Sequence, residues 1–138
     1  MDLTHLLVEF QEHVDERGSL IVGEFPRNLP FEVARFFVVT DVPPNVSRGS
    51  HSHREHHQLL IAVKGSIRVD LTDGTAPCSI VLDRVGHGLW IPPLFWATEH
   101  YLEPTSTLLV LTSHPYDVND YIDSMAEMLE LRANADER

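Results

Sequence analysis

RGSHSHREHHQ, at residues 48–58, is the stretch of this chain that decides its fold. Within it His51 and His53 form an H-x-H pair. Because side chains alternate between the two faces of a β-strand, this pair places two imidazoles on the same face. Histidine titrates near neutral pH and also ligates metals. The stretch therefore predicts either a metal site or a pair of proton-transfer groups.

The residues that follow predict a β-hairpin. An apolar strand at residues 59–63 reaches a turn at Lys64 and Gly65, and a second strand returns at residues 66–71. Other short strand candidates, bounded by turn residues, lie at residues 6–10, 20–25, 31–39, 78–82 and 107–112. Many short strands are typical of a small barrel or sandwich. An H-x-H strand that leads into a glycine hairpin resembles the first motif of the cupin barrel.

The last part of the chain changes from a strand period to a helical one. Five side chains recur at helical spacing, namely Tyr121, Ile122, Met125, Met128 and Leu129. Asp117 or Asn119 can cap such a helix. We therefore predict a single cupin-like domain over residues 1–138. Its all-β jelly-roll barrel is expected at about residues 6–113, and a C-terminal α-helix that packs on the barrel or on a partner subunit at about residues 118–133.

The composition excludes several classes of function. The net charge is −11, from 21 acidic and 10 basic residues, which argues against nucleic-acid binding because that needs a basic surface. Cys78 is the only cysteine, so no intrachain disulfide can form and a reducing compartment fits. The chain has neither a signal-peptide-like start nor an apolar run of about 20 residues. We predict a cytoplasmic protein with no membrane partner.

The spacing of the second half of the cupin pattern bears on metal binding. Cupins complete a metal site with a glutamate and a further histidine, and those positions fall on Gln58 and Ala97. Tight divalent binding needs three or four good ligands. We therefore predict no metal and no other cofactor, which leaves the H-x-H pair free for general acid–base work. A rearranged metal site that uses His57, His87 or His100 stays open as an alternative.

Five segments in the same order along the chain carry a closer resemblance. They are DERGSL at residues 15–20, NLPF at 28–31 with RFF at 35–37, RGSHSH at 48–53 followed by Gln58, GLWIPPLFW at 88–96, and YDVNDYI at 116–122. Together they resemble the dTDP-sugar 3,4-ketoisomerases. The similarity covers about residues 8–123, and five matches in the same order are far more specific than an H-x-H pair alone.

The resemblance implies a metal-free cupin that forms an intertwined homodimer with exchanged strands. Such an enzyme converts a dTDP-4-keto-6-deoxyhexose into its 3-keto isomer through an enediol, in deoxysugar biosynthesis for O-antigens or other glycans. By resemblance, His51 and His53 are the catalytic residues. The residues that contact the nucleotide sugar are by resemblance Arg48, Arg17, Arg35, Gln58, Phe37 and Trp90.

The chain also departs from the family pattern. Family members carry tyrosines where Phe36 and Phe37 stand, an aromatic residue where Ser50 stands, and His or Arg where Ala97 stands. Two alternatives therefore stay open. One is a nucleotide-sugar-binding cupin with little or no catalysis, and the other is a metal-dependent cupin dioxygenase.

The expected dimer has a physical basis in the first strands. A small barrel must cover or pair its exposed strand edges. The apolar segments at residues 6–8 and 20–22 can pair with a second chain. An isologous two-fold contact is the commonest closed arrangement of two copies.

Overall fold

A computed structural model of the chain describes residues 2–137. Short 3-10 helices lie at Thr4–Leu6 and Val118–Asp120, and one α-helix, α1, at Met125–Asp136. The strands are β1 (Leu7–Glu9), β2 (Gln11–Asp15), β3 (Gly18–Val22), β4 (Arg35–Val39), β5 (Ser47–His53), β6 (Gln58–Lys64), β7 (Ile67–Thr72), β8 (Cys78–Leu82), β9 (His87–Ile91), β10 (Trp96–Tyr101), β11 (Thr107–Thr112) and β12 (Tyr121–Ile122).

Two five-stranded antiparallel sheets form the barrel. Their strand orders are β1-β9-β6-β11-β4 and β12-β5-β10-β7-β8. In β7 the residues alternate strictly, so that Ile67, Val69 and Leu71 are buried between the sheets. They pack with Leu60 and Leu89 of the facing sheet in one apolar core. The predicted all-β jelly-roll barrel with a C-terminal helix is confirmed.

Strands β2 and β3 form a hairpin that pairs with neither large sheet. Its apolar side chains are largely in solvent, with Val14 70% and Leu20 61% exposed. At its base Ile21 packs on a second apolar cluster that contains Leu59 and Ile61, on the opposite side of β6 from the main core. An isolated two-stranded hairpin is marginally stable in water. The hairpin therefore presents apolar surface that a second chain can cover.

The C-terminal helix begins later than the helical spacing predicts. The prediction of a helix from about residue 118 is wrong there, because Tyr121 and Ile122 form β12 and pair with His53 and Ser52 of β5. The helix starts only after Ser124, whose hydroxyl accepts the amide of Glu127 at 3.3 Å. Within residues 2–137 no helix is long and apolar enough to cross a membrane.

The predicted helix caps and the predicted helix end are also wrong. Asp117 caps the 3-10 helix Val118–Asp120 by accepting the amide of Asn119 at 2.9 Å, so neither candidate residue caps α1. The helix continues to Asp136, beyond the predicted end at residue 133. Pairing with β5 decides the conformation before the helix, since Ile122 is fully buried there.

Candidate active site

A cavity of about 600 Å³ opens between the two sheets. The strands that line it are β4, β5, β6, β10, β11 and β12. Five of the predicted site residues line it, namely Arg35, Phe37, Arg48, His51 and Gln58. Residues that the sequence analysis did not select also line it, among them Ser47, Glu99, Tyr101 and Tyr121.

A β-bulge brings two different kinds of side chain to this cavity from β5. His51 pairs with Ala97, while Arg48 pairs with Glu99, so Ser50 is an extra residue in the strand. In a regular strand, positions 48 and 51 would face opposite sides. The extra residue resets the alternation, so the guanidinium and the imidazole both face the cavity.

Gly49 permits this bulge. Its φ is +84°, a region that favours glycine, and Ser50 beside it has a φ of +59°. A Cβ at Gly49 would clash with Oε2 of Glu99. The glycine is therefore required by its backbone conformation and by the close packing of Glu99.

His53 is buried next to His51, with their ring centroids 5.0 Å apart. Its Nδ1 lies 2.9 Å from Oδ2 of Asp120, and because a carboxylate only accepts, Nδ1 carries the proton. Burial, reinforced by the neighbouring His51, lowers the pKa of His53 to about 4 despite the carboxylate. Burial also lowers the pKa of His51. Both imidazoles are therefore neutral at physiological pH, and Nε2 of His53 has no hydrogen-bond partner among residues 2–137.

Asp120 connects the H-x-H strand to the loop that follows it. Oδ1 accepts the amide of Glu55 at 2.8 Å, and Oδ2 accepts the amide of His56 at 3.3 Å. Nδ1 of His56 also lies 3.3 Å from Oδ2. The carboxylate is 5% exposed, so its several donors keep it satisfied in a buried position. Asp120 thereby fixes both the orientation and the tautomer of His53.

Two of the four positions of a cupin metal site, His51 and Gln58, line the cavity, and the ligand set of the four positions is incomplete. His51 is the register partner of Ala97, which offers no ligand atom, and Gln58 lines the same cavity with a weak, neutral one. A metal at this position would have two imidazoles and an amide, fewer good ligands than tight divalent sites use. The residues present do not fit a resident cupin metal.

Within residues 2–137 one other group has ligand atoms close together, namely His53, His56 and Asp120, within 4.8 Å of one another. The carboxylate oxygens of this group already accept two backbone amides and the Nδ1–H of His53. Hydrogen bonds therefore account for its geometry.

Among the described residues, His57, His87 and His100 do not form the alternative, rearranged metal site. Nδ1 of His57 accepts the indole N–H of Trp90 at 3.0 Å. Nε2 of His100 lies 2.8 Å from Asp70, on the second sheet. His87 contacts Arg84 at 2.6 Å. Each imidazole thus has a separate partner, and within the described residues none of the three lines the cavity.

Two predicted substrate-contacting residues lie away from the cavity. Trp90 pairs with Leu59, whose side chain belongs to the cluster on the opposite side of β6, and its ring stacks on His57. Arg17 lies at the tip of the β2–β3 hairpin, where its 83% exposed side chain forms an ion pair with Asp15 at 2.6 Å. Trp90 is therefore a packing residue, and Arg17 does not line the cavity of its own chain.

Glu99, Tyr101 and Tyr121 are the residues that sequence reasoning missed. The ring centroid of Tyr121 is 5.0 Å from that of His51 and 4.6 Å from that of His53. Glu99 and Tyr101 follow Ala97 at every second position of β10, and this alternation was the available signal. Burial raises the pKa of Glu99 to about 7 and also raises the pKa of Tyr101.

The cavity combines the neutral imidazole of His51, which lies next to that of His53, with two guanidinium groups, those of Arg35 and Arg48. Imidazoles that stay unprotonated can take up and release protons at neutral pH, and arginine forks suit phosphate groups. Fold and site therefore define a cupin-class barrel equipped for proton transfer on an anionic ligand.

Comparison with known proteins agrees with this class. The family model described as FdtA, WxcM-like, C-terminal, matches residues 3–133, and the chain belongs to this family. It is 35% identical over 116 residues to the TDP-4-oxo-6-deoxy-alpha-D-glucose-3,4-oxoisomerase of Aneurinibacillus thermoaerophilus, covering 84% of each chain. The family resemblance predicted from the sequence is confirmed.

Solved structures agree as well. A 3,4-ketoisomerase from Helicobacter canadensis shares 37% identity at a TM-score of 0.86, over 91% of this chain and 94% of that one. A histidine-to-asparagine mutant of QdtA, a 3,4-ketoisomerase from Thermoanaerobacterium thermosaccharolyticum, was solved in complex with TDP-4-keto-6-deoxyglucose. It shares 32% identity at a TM-score of 0.85, over 90% of each chain.

Proposed function

We propose that this protein is a sugar-nucleotide isomerase that converts a dTDP-4-keto-6-deoxyhexose into its 3-keto isomer. The observation that carries the proposal is the neutral pair His51 and His53, with ring centroids 5.0 Å apart beside a cavity that also presents Arg35 and Arg48. The similarity to 3,4-ketoisomerases supports the reaction type. No metal takes part in the proposed mechanism, since Ala97 leaves the cupin ligand set incomplete.

The proposed reaction is a balanced movement of protons. The hydrogen on C3 is acidic because C3 adjoins the C4 ketone, so a neutral imidazole of His51 can remove it. The resulting enediol exchanges a proton between O3 and O4, with His53 as the second acid–base group. Return of a proton to C4 then gives the 3-keto product. No oxidant or reductant is needed, because C3 loses and C4 gains the same number of electrons.

The arginines serve binding in this proposal. Arg48 and Arg35 line the same cavity as His51, and a guanidinium fork can bond two oxygens of a diphosphate at once. Gln58 offers a donor and an acceptor to the sugar, and the ring of Phe37 gives it an apolar wall. Donors near the developing negative charge on the enediol would stabilise the transition state.

A proton NMR time course in deuterated buffer tests this function. With dTDP-4-keto-6-deoxyglucose we expect signals of a 3-keto hexose that carries deuterium at C4, because the proton that returns there comes from solvent. Substrate signals that stay unchanged after the protein is added would contradict an isomerase function. Binding of the substrate without turnover would instead favour the binding-module alternative.

The binding-module alternative has a specific observation in its favour. Phe37 lines the cavity where the family pattern has a tyrosine, and Ala97 adds no polar group beside His51. The first change removes a hydrogen-bonding group from the cavity wall, and the second removes one from beside His51. Measured turnover in the NMR experiment decides between the two functions.

We further infer a place in metabolism. The proposed reaction belongs to deoxysugar biosynthesis, including that of O-antigens or other glycans, and takes place in the cytoplasm. Its partner is a small nucleotide sugar rather than nucleic acid or membrane, which agrees with the net charge of −11. The product ketone is a substrate for an enzyme that adds an amino group or reduces the ketone.

We expect a homodimer with exchanged strands. The exposed β2–β3 hairpin carries apolar side chains such as Val14 and Leu20, and Arg17 stands at its tip. Sedimentation at micromolar concentration should give a mass near twice 15.7 kDa. If the hairpin places Arg17 at the partner's cavity, Arg17→Ala should raise KM by about tenfold, the effect of losing one charge-assisted hydrogen bond, with the mass unchanged.

Arg27→Ala is the matched control for this prediction, because Arg27 is also an exposed arginine in the N-terminal segment. Its KM should equal that of the unmodified protein. A monomer that isomerises substrate at the normal rate would contradict both strand exchange and the shared role of Arg17.

Metal content is a separate prediction. Purified protein, freed of any affinity tag, should contain no stoichiometric transition metal, and a chelator should leave turnover unchanged. The reason is that Gln58 and Ala97 occupy two of the four cupin ligand positions. Elemental analysis that finds near one equivalent of zinc, iron or nickel would overturn this prediction and favour the dioxygenase alternative.

A further inference from the structure

Glu99 is a buried acid in the cavity for which the proposed reaction has no role. It lies on β10 two residues after Ala97, it lines the cavity, and it is 9% exposed. In the part of the chain that the structure describes, its Oε2 has no hydrogen-bond partner. Native structures rarely leave a buried carboxyl oxygen without a partner, so a group that binds in the cavity is a natural candidate.

Tyr101, at the next inward-facing position of β10, is a second buried polar residue of this kind. Its hydroxyl is buried and has no hydrogen-bond partner among the described residues, and Tyr101 also lines the cavity. The two side chains share a strand face, because they lie two residues apart. They therefore present two adjacent unsatisfied polar groups in a cavity wall that also includes the apolar side chains of Val39 and Leu108.

The charges around Glu99 are few. The titratable groups that line the cavity with it are Arg35, Arg48, His51, Tyr101 and Tyr121. Arg48 is its register partner on β5, yet within the described residues Glu99 forms no ion pair with it. Burial raises the pKa of Glu99 to about 7 against the opposing effect of Arg48. The carboxyl group is therefore partly protonated at neutral pH.

We propose that Glu99, in its protonated form, acts with Tyr101 as a hydrogen-bonding subsite for uncharged oxygens of the nucleotide sugar. The subsite rests on the proposed function, because it takes that same ligand. A protonated carboxyl and a phenol each donate to a hydroxyl, keto or ring-carbonyl oxygen. An ionised Glu99 would lack the donor and would also repel the anionic diphosphate. When the nucleotide sugar binds to protein in which Glu99 is ionised, Glu99 therefore takes up a proton.

The subsite also bears on the departures from the family pattern. Phe37 on the cavity wall and Ala97 beside His51 carry no polar group at positions where the family pattern has one. Glu99 and Tyr101 restore a donor pair to the same cavity from a different part of β10. They are substrate-contacting residues that adjust specificity, and proton transfer at carbon stays with the histidines.

Calorimetry with dTDP-glucose between pH 6 and pH 9 tests the subsite. This unreactive ligand carries a diphosphate diester that does not titrate in that range. Because the ligand binds the form in which Glu99 is protonated, the affinity for dTDP-glucose should be highest below pH 7. Above pH 7 it should fall by up to about tenfold per pH unit. Titrations in buffers of different ionisation enthalpy should detect proton uptake near pH 7.

Glu99→Gln is the informative variant, because an amide keeps a donor and cannot ionise. Its affinity should be independent of pH across the range, with no proton uptake linked to position 99. Glu130→Gln, an exposed acid on α1, is the matched control and should keep the normal pH dependence. Equal pH dependence in Glu99→Gln and the unmodified protein would overturn the subsite.

Tyr101→Phe supplies a second, independent measurement and identifies the oxygen that is bound. Loss of one hydrogen bond should weaken dTDP-glucose by about threefold to tenfold. If the variant binds dTDP and dTDP-glucose more weakly by the same factor, the subsite binds the base. If only the affinity for dTDP-glucose falls, the subsite binds the hexose. No loss for either ligand would overturn the role of Tyr101. If the unmodified protein fails to bind dTDP-glucose, the proposed function falls together with the subsite.

Discussion

Replacing His51 with asparagine is expected to reduce isomerisation by about 10²–10⁴-fold while leaving the affinity for dTDP nearly unchanged. Asparagine keeps a polar side chain of similar reach but cannot take a proton from carbon at neutral pH. Binding instead depends on Arg48 and Arg35, which line the same cavity. The rate is measured by proton NMR with the 4-keto substrate, and dTDP affinity by calorimetry.

The control for this variant is His87→Asn. His87 is a partly exposed histidine on β9 that contacts Arg84 and does not line the cavity. Its rate should match that of the unmodified protein. If His51→Asn turns over at the normal rate, the proton-abstracting base must be another group, and His53 is the next to test.

Asp120→Asn is the second variant with a large expected effect. The carboxylate accepts the Nδ1–H of His53 at 2.9 Å, which leaves Nε2 as the basic nitrogen. An asparagine amide can turn its NH₂ group toward Nδ1, and His53 then carries its proton on Nε2 instead. A nitrogen that should accept a proton would become a donor, so we expect turnover to fall by about 10²–10⁴-fold.

This variant also leaves a buried donor without a partner. The carboxylate serves the amides of Glu55 and His56 as well as the imidazole of His53, and an amide side chain has only one accepting oxygen. The free energy of unfolding should fall by about 1–3 kcal/mol.

Nitrogen-15 chemical shifts of the His53 imidazole separate the two effects of Asp120→Asn, because they report which ring nitrogen carries the proton. Asp83→Asn changes an exposed carboxylate before β9 and serves as the control, with rate and stability unchanged. A stable, slow variant whose His53 keeps the original tautomer would contradict the positioning role of Asp120.

The barrel and the core of the site were predictable because they rest on local sequence patterns. The H-x-H pair, its hairpin and the loss of the ligand at Ala97 can all be read from strand alternation and spacing. Trp90 could have been placed by the same alternation, since its neighbours Leu89 and Ile91 are the buried, inward-facing residues of β9. The family resemblance selected it for the site, but its register places it against Leu59.

Other features depend on contacts between distant parts of the chain. Tyr121 and Ile122 fit a helical spacing, and only their pairing with β5 turns them into a strand. Nothing near Asp120 in the sequence indicates that it contacts His53, because the contact spans 67 residues. Glu99 lies outside the segments that resemble the family, and burial of an acid is decided by the surrounding sheets.

The bulge at Ser50 has a consequence for insertions and deletions in this strand. Deleting Ser50 would leave Arg48 and His51 two positions apart, so both side chains could still face inward in a regular strand. Pairing all the residues of β5 without the bulge would instead turn either the anion-binding group or the proton-transfer group outward, although every functional residue would still be present. Sequence alignments of related chains should therefore accept a one-residue gap at position 50 without a change of function.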